Sequence, residues 1–331
     1  MSDSSKVTVL GAGSWGTALA SHLSGSGRVV TLWGRDKEVL SAIEQNASNP
    51  RYFPSTKLNA NIHTTTELSE ALPDACLVVF AVPSSSMRVV AKEAAPGLSN
   101  ESLVVSTAKG LESDSQKTMH EVLSEELGGA ERITVLGGPS FALEVLKGLP
   151  TAVVIAGRDT ERTQEAANYF HHNNFRVYTS NDVVGVEIGG AVKNVIALGV
   201  GVCRGMGLGA SAEAALIARG FAELSRLATR LGANPQTLMG LSGLGDLVLT
   251  CSGTQSRNFA YGMAIGEGKD TSGLPLAEGA FTAGIAASIA GESGIEAPLI
   301  STVAKLVDGT ITPRAALQEL LARPLRNESE E

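Results

Sequence analysis

A glycine-rich turn set between a short apolar strand and a helix constrains this chain more than any other feature. Val7–Leu10 reads as a strand, and Gly11-Ala12-Gly13-Ser14-Trp15-Gly16 follows it directly and opens a helix at Thr17. Gly11 suits a tight turn, Gly13 lets a pyrophosphate approach the backbone, and Gly16 allows close helix–strand packing. The helix N-terminus, with Ser14 and Trp15 in its first turn, would then receive the phosphates. G-x-G-x-x-G is a weak signal by itself. In this strand–turn–helix setting it points to a dinucleotide site, the alternative being a turn that is merely tight.

A strand of this kind needs neighbours, and the next 170 or so residues supply them. Val29–Trp33, Leu77–Val82, Leu103–Ser106, Thr134–Leu136, Ala152–Ala156 and Phe175–Tyr178 are strand-like, and most are separated by amphipathic stretches: Thr17–Leu23, Lys37–Gln45, Ser115–Leu127 and Glu161–His171. Apolar strands alternating with helices predict a Rossmann-like, doubly wound parallel sheet covered on both faces. From about Val183 the strand signals stop, and helices are expected over 183–203, 212–231, 235–241, 256–266, 278–291, 297–307 and 313–321. The expected organisation is a dinucleotide-binding α/β domain over 1–182, an all-α substrate-binding domain over 183–326, and an acidic tail, 327–331.

Composition narrows the partners. The 331 residues carry a net charge of −8 and no basic run, which argues against nucleic acid or an anionic membrane as the main ligand. No uninterrupted apolar run approaches membrane-spanning length, so stable membrane insertion is not expected. Cys76, Cys203 and Cys251 share no metal spacing; Cys76 and Cys203 read as small core residues, which favours a reducing, cytoplasmic setting. The opening residues lack a signal-peptide pattern. The five histidines form no ligand pattern, no metal site is expected, and His171-His172 reads as a solvated helix end.

The second strand ends Leu32-Trp33-Gly34-Arg35, with Asp36 starting the next helix. NAD sites usually carry an acid at this strand end, and Arg35 is suited instead to a 2′-phosphate. That favours NADP(H), with NAD(H) as the alternative if Arg35 is solvated and Asp36 a simple cap. Two further strand ends carry candidates. Ala81-Val82-Pro83-Ser84 either frames the nicotinamide side or caps a helix, and Lys109 in Ser106-Thr107-Ala108-Lys109-Gly110 is either a ligand or an exposed loop lysine.

The chemistry centres on Lys193-Asn194, in Gly189-Gly190-Ala191-Val192-Lys193-Asn194-Val195. A lysine in so apolar a helix needs an anion or a proton-accepting oxygen, unless its long stem reaches water. Gly189 and Gly190 lie four and three residues ahead, a spacing expected to leave a bare face beside it for a small anionic substrate. Gly138-Pro139-Ser140-Phe141-Ala142 forms a glycine turn leading into a helix. Gly243-Leu244-Gly245-Asp246-Leu247 is expected to hold a carboxylate in a tight turn, and Ser256-Arg257-Asn258 lies at a helix start suited to phosphate.

Together these segments closely resemble the bacterial-type NAD(P)-dependent glycerol-3-phosphate dehydrogenase family, from about Lys6 to Leu325. The motifs are GAGSWGTALA at 11–20, KGL at 109–111, GPSFALE at 138–144, GGAVKN at 189–194, GLGDL at 243–247 and QSRN at 255–258. The resemblance implies a homodimer that reduces dihydroxyacetone phosphate to sn-glycerol 3-phosphate for phospholipid synthesis, with its active site between the two domains. It implies Lys193 as proton donor, and Lys109, Gly138, Ser140, Asn194, Asp246, Ser256, Arg257 and Asn258 around the substrate. It also implies Gly11, Gly13, Ser14, Trp15, Gly16, Arg35, Lys109, Ala142, Arg257, Leu276 and Glu278 around the dinucleotide. Asp246 would hold a substrate hydroxyl or orient Lys193. Two positions depart from the family pattern: Arg204 stands where an acid is usual, and Ser211 where an asparagine is usual. Another two-domain dehydrogenase of hydroxy or keto acids, and a non-catalytic dinucleotide sensor, are the competing readings.

Overall fold

The computed structural model describes residues 5–324 apart from 60 and 276, together with residue 327. Leu276 and all of the expected tail except Asn327 therefore lie outside the described residues. The chain divides into two compact units: residues up to 108 with 117–183, and residues 109–116 with those from 184 onward. The excursion at 109–116 is absent from the expected single division at 182.

In the first unit, strands and helices run β1 Lys6–Leu10, α1 Ser14–Ser24, β2 Val30–Trp33, α2 Lys37–Asn46, β3 Ile62–Thr65, α3 Leu68–Ala71, β4 Ala75–Phe80, α4 Met87–Ala94, β5 Leu103–Ser106, α5 Met119–Leu127, β6 Ile133–Gly137, α6 Ala142–Leu146, β7 Thr151–Gly157, α7 Thr160–Phe170 and β8 Phe175–Ser180. The sheet order is β3-β2-β1-β4-β5-β6-β7-β8, a doubly wound arrangement whose order reverses beside β1. Strand alternation sends Val7, Val9, Leu77, Val79 and Val105 to one face, against Leu19 and Leu23 of α1 and Ala166 and Phe170 of α7. Leu10, Val78, Phe80 and Val104 go to the other, against Val90 of α4 and Met119 and Val122 of α5. Each fully buried Leu or Phe contributes roughly 1.5–3 kcal/mol, so coverage on both faces sustains the sheet.

Some details differ from the sequence expectation. The sheet is mostly rather than wholly parallel, because β7 runs antiparallel to β6 and β8 follows β7 in parallel. A strand buried on both faces carries no signal of direction. Edge strand β3 and helix α3 were not anticipated. Cys76 is exposed. Lys6 pairs with Ala75 and Val7 with Leu77, so Cys76 is the unpaired residue of a bulge, while Cys203 is buried as expected.

The end of α7 is closed by a histidine from α1. His22 Nε2 donates to the Phe170 carbonyl at 2.8 Å, and its ring stacks on His172 with centroids 3.9 Å apart. His172 thus packs against another ring rather than forming a solvated helix end. Burial pushes the His22 pKa down to about 4, aided by His172 and Arg28 against the pull of the Phe170 carbonyl. Between the unfolded value near 6.5 and the folded value near 4, the unfolded chain binds the proton and the folded chain does not. This group's contribution is therefore complete above pH 6.5 and lost as pH falls toward 4. The expected loss is roughly 3 kcal/mol. Urea midpoints measured from pH 7 to 4 should fall steeply for the natural protein and more shallowly for His22→Gln; parallel curves would refute the assignment to His22.

The second unit is helical: α8 Val183–Gly205, α9 Ala210–Arg230, α10 Pro235–Leu238, a π-helical turn Leu241–Gly245, α11 Asp246–Cys251, α12 Arg257–Gly266, α13 Glu278–Glu292, α14 Pro298–Val307 and α15 Pro313–Leu321. By length and composition α8 could cross a membrane, although Glu187 and Lys193 interrupt its apolar run, and 94% of its apolar window is buried within the protein. It is the core helix, with Val192, Val195, Ile196 and Val200 packed among Leu224, Leu247, Phe259 and Ile300.

Helices α8 and α12 touch backbone to backbone. A Cβ on Gly201 would lie 2.1 Å from the Phe259 carbonyl oxygen, and one on Gly205 2.2 Å from that of Met263. In return, a Cβ on Gly262 would lie 2.0 Å from the Leu198 carbonyl oxygen, and one on Gly266 2.3 Å from that of Val202. No side chain fits at any of the four. Beyond this contact, Arg204 grips Glu213 through two hydrogen bonds and lies over the Phe259 ring at 5.5 Å. The family departure at 204 thus has a local partner in this chain. Buried Glu223 of α9 accepts from the Leu299 and Ile300 amides at 2.8 and 3.0 Å, capping α14 from a distance.

Candidate active site

In the second unit, one carboxylate holds two lysines. Asp246 Oδ1 accepts from Lys193 Nζ, and Oδ2 accepts from Lys109 Nζ at 2.6 Å. Lys193 also donates to Thr250 Oγ1 at 2.6 Å, and that hydroxyl donates to the Asp246 carbonyl at 2.6 Å. The side chains of Lys193 and Asp246 are 6% and 2% exposed, so the snorkelling alternative does not hold.

Burial lowers the Lys193 pKa to about 8, with Lys109 adding to the fall and Asp246 opposing it. Burial alone would raise the Asp246 carboxyl, but Lys109 and Lys193 together hold it below the usual range. Two ammoniums share one carboxylate, which leaves positive charge in excess among these three groups. Such a cluster favours an incoming anion or a developing oxyanion.

The face beside Lys193 is not bare, as the spacing had suggested. A Cβ on Gly190 would meet the Lys109 stem at 3.5 Å, and one on Gly189 the Ser242 carbonyl at 2.9 Å. These glycines admit protein, and in doing so bring Lys109 to Asp246. Asp246 sits not in a plain turn but at the first position of α11, after the π-helical turn. That places Thr250 one turn further along the same helix face. Reading the segment as a turn concealed this residue, which the four-residue spacing could have revealed.

Asn194 is the second hub. Its Nδ2 donates to the Lys109 carbonyl at 2.9 Å, while its Oδ1 accepts from Asn258 Nδ2 at 2.9 Å. Asn258 Oδ1 accepts from Gly279 N at 2.8 Å, which fixes the start of α13 and with it Glu278. Ser256 caps α12 by accepting from Phe259 N. Arg257, exposed at the first helical position, has no ion-pair partner among the described residues.

The first unit carries the glycine turn. Gly11 has φ +120°, and a Cβ there would lie 2.6 Å from the Ala81 carbonyl; one on Gly16 would lie 1.9 Å from the Gly11 carbonyl. A Cβ on Gly13 would meet nothing within 4 Å. Two glycines are thus sealed against protein, and the middle one faces open space at the N-terminus of α1. No acid stands in the first turn of α1, and Gly13 provides no side-chain cap. Trp15 Nε1 is buried without a hydrogen-bond partner. These features fit a dinucleotide pyrophosphate.

Asn49, fully buried, clamps a loop onto this turn through Thr17 Oγ1 at 2.9 Å, a contact the sequence did not signal. Arg35 is exposed at the end of β2. Gly138, at φ +119°, lies against Val153 and accepts from Ser140 Oγ at 3.1 Å; Ala142 then begins α6, which packs on α1.

Two family models cover most of the chain: NAD-dependent glycerol-3-phosphate dehydrogenase N-terminus over residues 6–163, and the corresponding C-terminus over 182–318. The chain belongs to the NAD-dependent glycerol-3-phosphate dehydrogenase family. Among known members, the glycerol-3-phosphate dehydrogenase [NAD(P)+] of Mesorhizobium japonicum is 48% identical over 98% of this chain and 94% of its own length. That of Chelativorans sp. is 46% identical over 97% and 98%. The crystal structure of glycerol-3-phosphate dehydrogenase from Coxiella burnetii has a TM-score of 0.91 at 35% identity, covering 97% of this chain and 99% of that one. The N-terminal model spans the glycine turn of the first unit, and the C-terminal model spans α8 and the start of α12.

Proposed function

We propose that this protein reduces dihydroxyacetone phosphate reversibly to sn-glycerol 3-phosphate with a nicotinamide dinucleotide, NADP(H) in preference to NAD(H). The observation that carries the reading is the buried Lys193–Asp246 pair, joined by half-buried Lys109, beside a phosphate-suited helix start. Family membership and the names of the relatives support it.

The nicotinamide, when bound, supplies the hydride. As charge grows on the substrate C2 oxygen, the Lys193 ammonium stabilises and then protonates it. Asp246 and Thr250 orient the ammonium. Lys109, tied through its carbonyl to Asn194, adds a second positive charge. Arg257 and the free amides at the start of α12 hold the substrate phosphate, and this remote binding orients the ketone. The Asn258 side chain is committed to Asn194 and Gly279, so it serves by positioning the helix start. Gly138 and Ser140 complete the substrate set, and Ser14, Trp15, Arg35, Ala142 and Glu278 the dinucleotide set.

We further read residues 1–182 as cofactor-binding and 183–326 as substrate-binding, with 109–116 added to the latter. Three free cysteines support a reducing, cytoplasmic setting. The uncharged exposed residues Phe281, Gly284, Ser288 and Gly291 on α13 support a homodimer. The product would feed glycerophospholipid synthesis.

Loss of reduced-nicotinamide absorbance with dihydroxyacetone phosphate, measured with NADPH and NADH separately, tests the reading. Its pH profile adds a second check. Reduction requires Lys193 protonated, so kcat/KM should fall about tenfold per pH unit above about 8. A folded protein that binds NADPH yet oxidises it with no such substrate would refute the proposal.

A further inference from the structure

We propose that Arg51 is a second cation for the adenosine 2′-phosphate of the cofactor, acting beside Arg35 and so helping to set the preference for NADP(H). The inference rests on the dinucleotide reading of the first unit. It begins with Gly34, where a Cβ would lie 2.7 Å from Ala12 Cβ of the glycine turn. The end of β2 therefore abuts the turn, and Arg35 and Asp36 emerge at its flank.

The loop carrying Arg51 is fastened to the same place. Buried Asn49 donates to Thr17 Oγ1 at 2.9 Å and to the Ala12 carbonyl at 3.4 Å. Its own Oδ1 accepts from the Arg51 and Tyr52 amides at 3.2 and 3.3 Å, and its carbonyl accepts from Phe53 N at 2.8 Å. Phe53 is buried, which anchors the far side of the loop. Arg51 is thus presented by a loop built onto the turn itself.

Asp36 explains why a second cation belongs there. Its Oδ1 caps α2 by accepting from the Glu38 and Val39 amides at 3.1 Å, and its Oδ2 faces Arg51 Nη1 at 3.5 Å. Oδ1 is committed to the helix cap, and only Oδ2, in a long contact with Arg51, is left for a ribose diol of the kind that the acid of an NAD site holds. The charge of Asp36 would repel a 2′-phosphate held by Arg35 alone. Arg51 offsets that charge, and with 65% of its side chain exposed it holds Asp36 only through a weak surface pair. Moving the guanidinium onto a doubly charged phosphate sacrifices little and gains charge-assisted hydrogen bonds.

The test uses two probes on the full-length protein, adenosine 2′,5′-bisphosphate and adenosine 5′-monophosphate, titrated by calorimetry. The natural protein should bind the bisphosphate more tightly. Arg51→Ala should cut the bisphosphate-to-monophosphate affinity ratio about tenfold, Arg35→Ala should do likewise, and Arg51→Lys should recover part of the loss. An unchanged ratio in Arg51→Ala, or equal weakening of both probes, overturns the role of Arg51 while leaving that of Arg35 standing. Equal affinities in the natural protein would overturn the NADP(H) preference and this proposal with it, whereas binding of neither probe would remove the dinucleotide reading.

Discussion

Lys193→Ala should lower kcat/KM for dihydroxyacetone phosphate reduction by about three to four orders of magnitude while the fold survives. A positioned general acid contributes about 10²–10⁴, and stabilisation of the growing oxyanion belongs to the same ammonium. Charge counting predicts the stability result. The cluster holds one buried and one half-buried ammonium on one carboxylate, so removing Lys193 leaves Asp246 matched by Lys109 and still next to Thr250. The loss of stability should be about 1–2 kcal/mol, mostly the packing of a buried stem. Asp246→Ala is the opposite case, since it leaves two lysines together without their shared partner, and should cost about 3–5 kcal/mol. Steady-state kinetics and urea midpoints on the two variants separate the effects. If Lys193→Ala proves as unstable as Asp246→Ala, the excess-charge account of the cluster is wrong.

Gly262→Ala should be among the most damaging single-methyl changes in the helical unit. The added carbon would lie 2.0 Å from the Leu198 carbonyl oxygen, with helix backbone on both sides and no flexible side chain to yield. Prying α12 from α8 should cost about 3 kcal/mol or more. Because α12 begins at Arg257 and Asn258 while α8 carries Lys193 and Asn194, the KM for the phosphate substrate should rise as well. Gly284→Ala is the control. Its Cβ would meet nothing within 4 Å of its own chain in the middle of α13, so at protein concentrations where the chain is monomeric it should gain about 0.5–1 kcal/mol from helix propensity. Thermal denaturation of both variants decides the matter, and equal effects would mean that the backbone contact is not what Gly262 serves.

Much of this could be read from the chain, and the misses have physical causes. The glycine turn was legible because strand, turn and helix each left their own mark around Gly11–Gly16. The boundary of the sheet was less so. β3 is an edge strand of Ile62, His63, Thr64 and Thr65 with one buried residue, so it shows no apolar run. Lys193 stood out as a cation in an apolar helix, yet Gly189 and Gly190 were misjudged, because spacing cannot say whether ligand or protein fills the gap that a glycine leaves. Thr250 was hidden for a related reason. Glycines at 243 and 245 suggest a turn, whereas the chain makes a π-helical turn that leads straight into α11. Arg35 was visible by its place after β2. The loop that presents Arg51 depends on Asn49 reaching back 32 residues to Thr17, and local pattern gives no hint of such a contact.

The short excursion at 109–116 has a bearing on how this molecule could be cut or recombined. After β5 the chain leaves the sheet for eight residues, deposits Lys109 and Leu111 in the helical unit, and returns before α5. A fragment starting at 184 would therefore lack one of the two lysines on Asp246 and a leucine of its own core. The helical unit is not a cassette that can be grafted behind another nucleotide-binding sheet. Any exchange of parts within this architecture has to carry the eight-residue insert along with the helical unit.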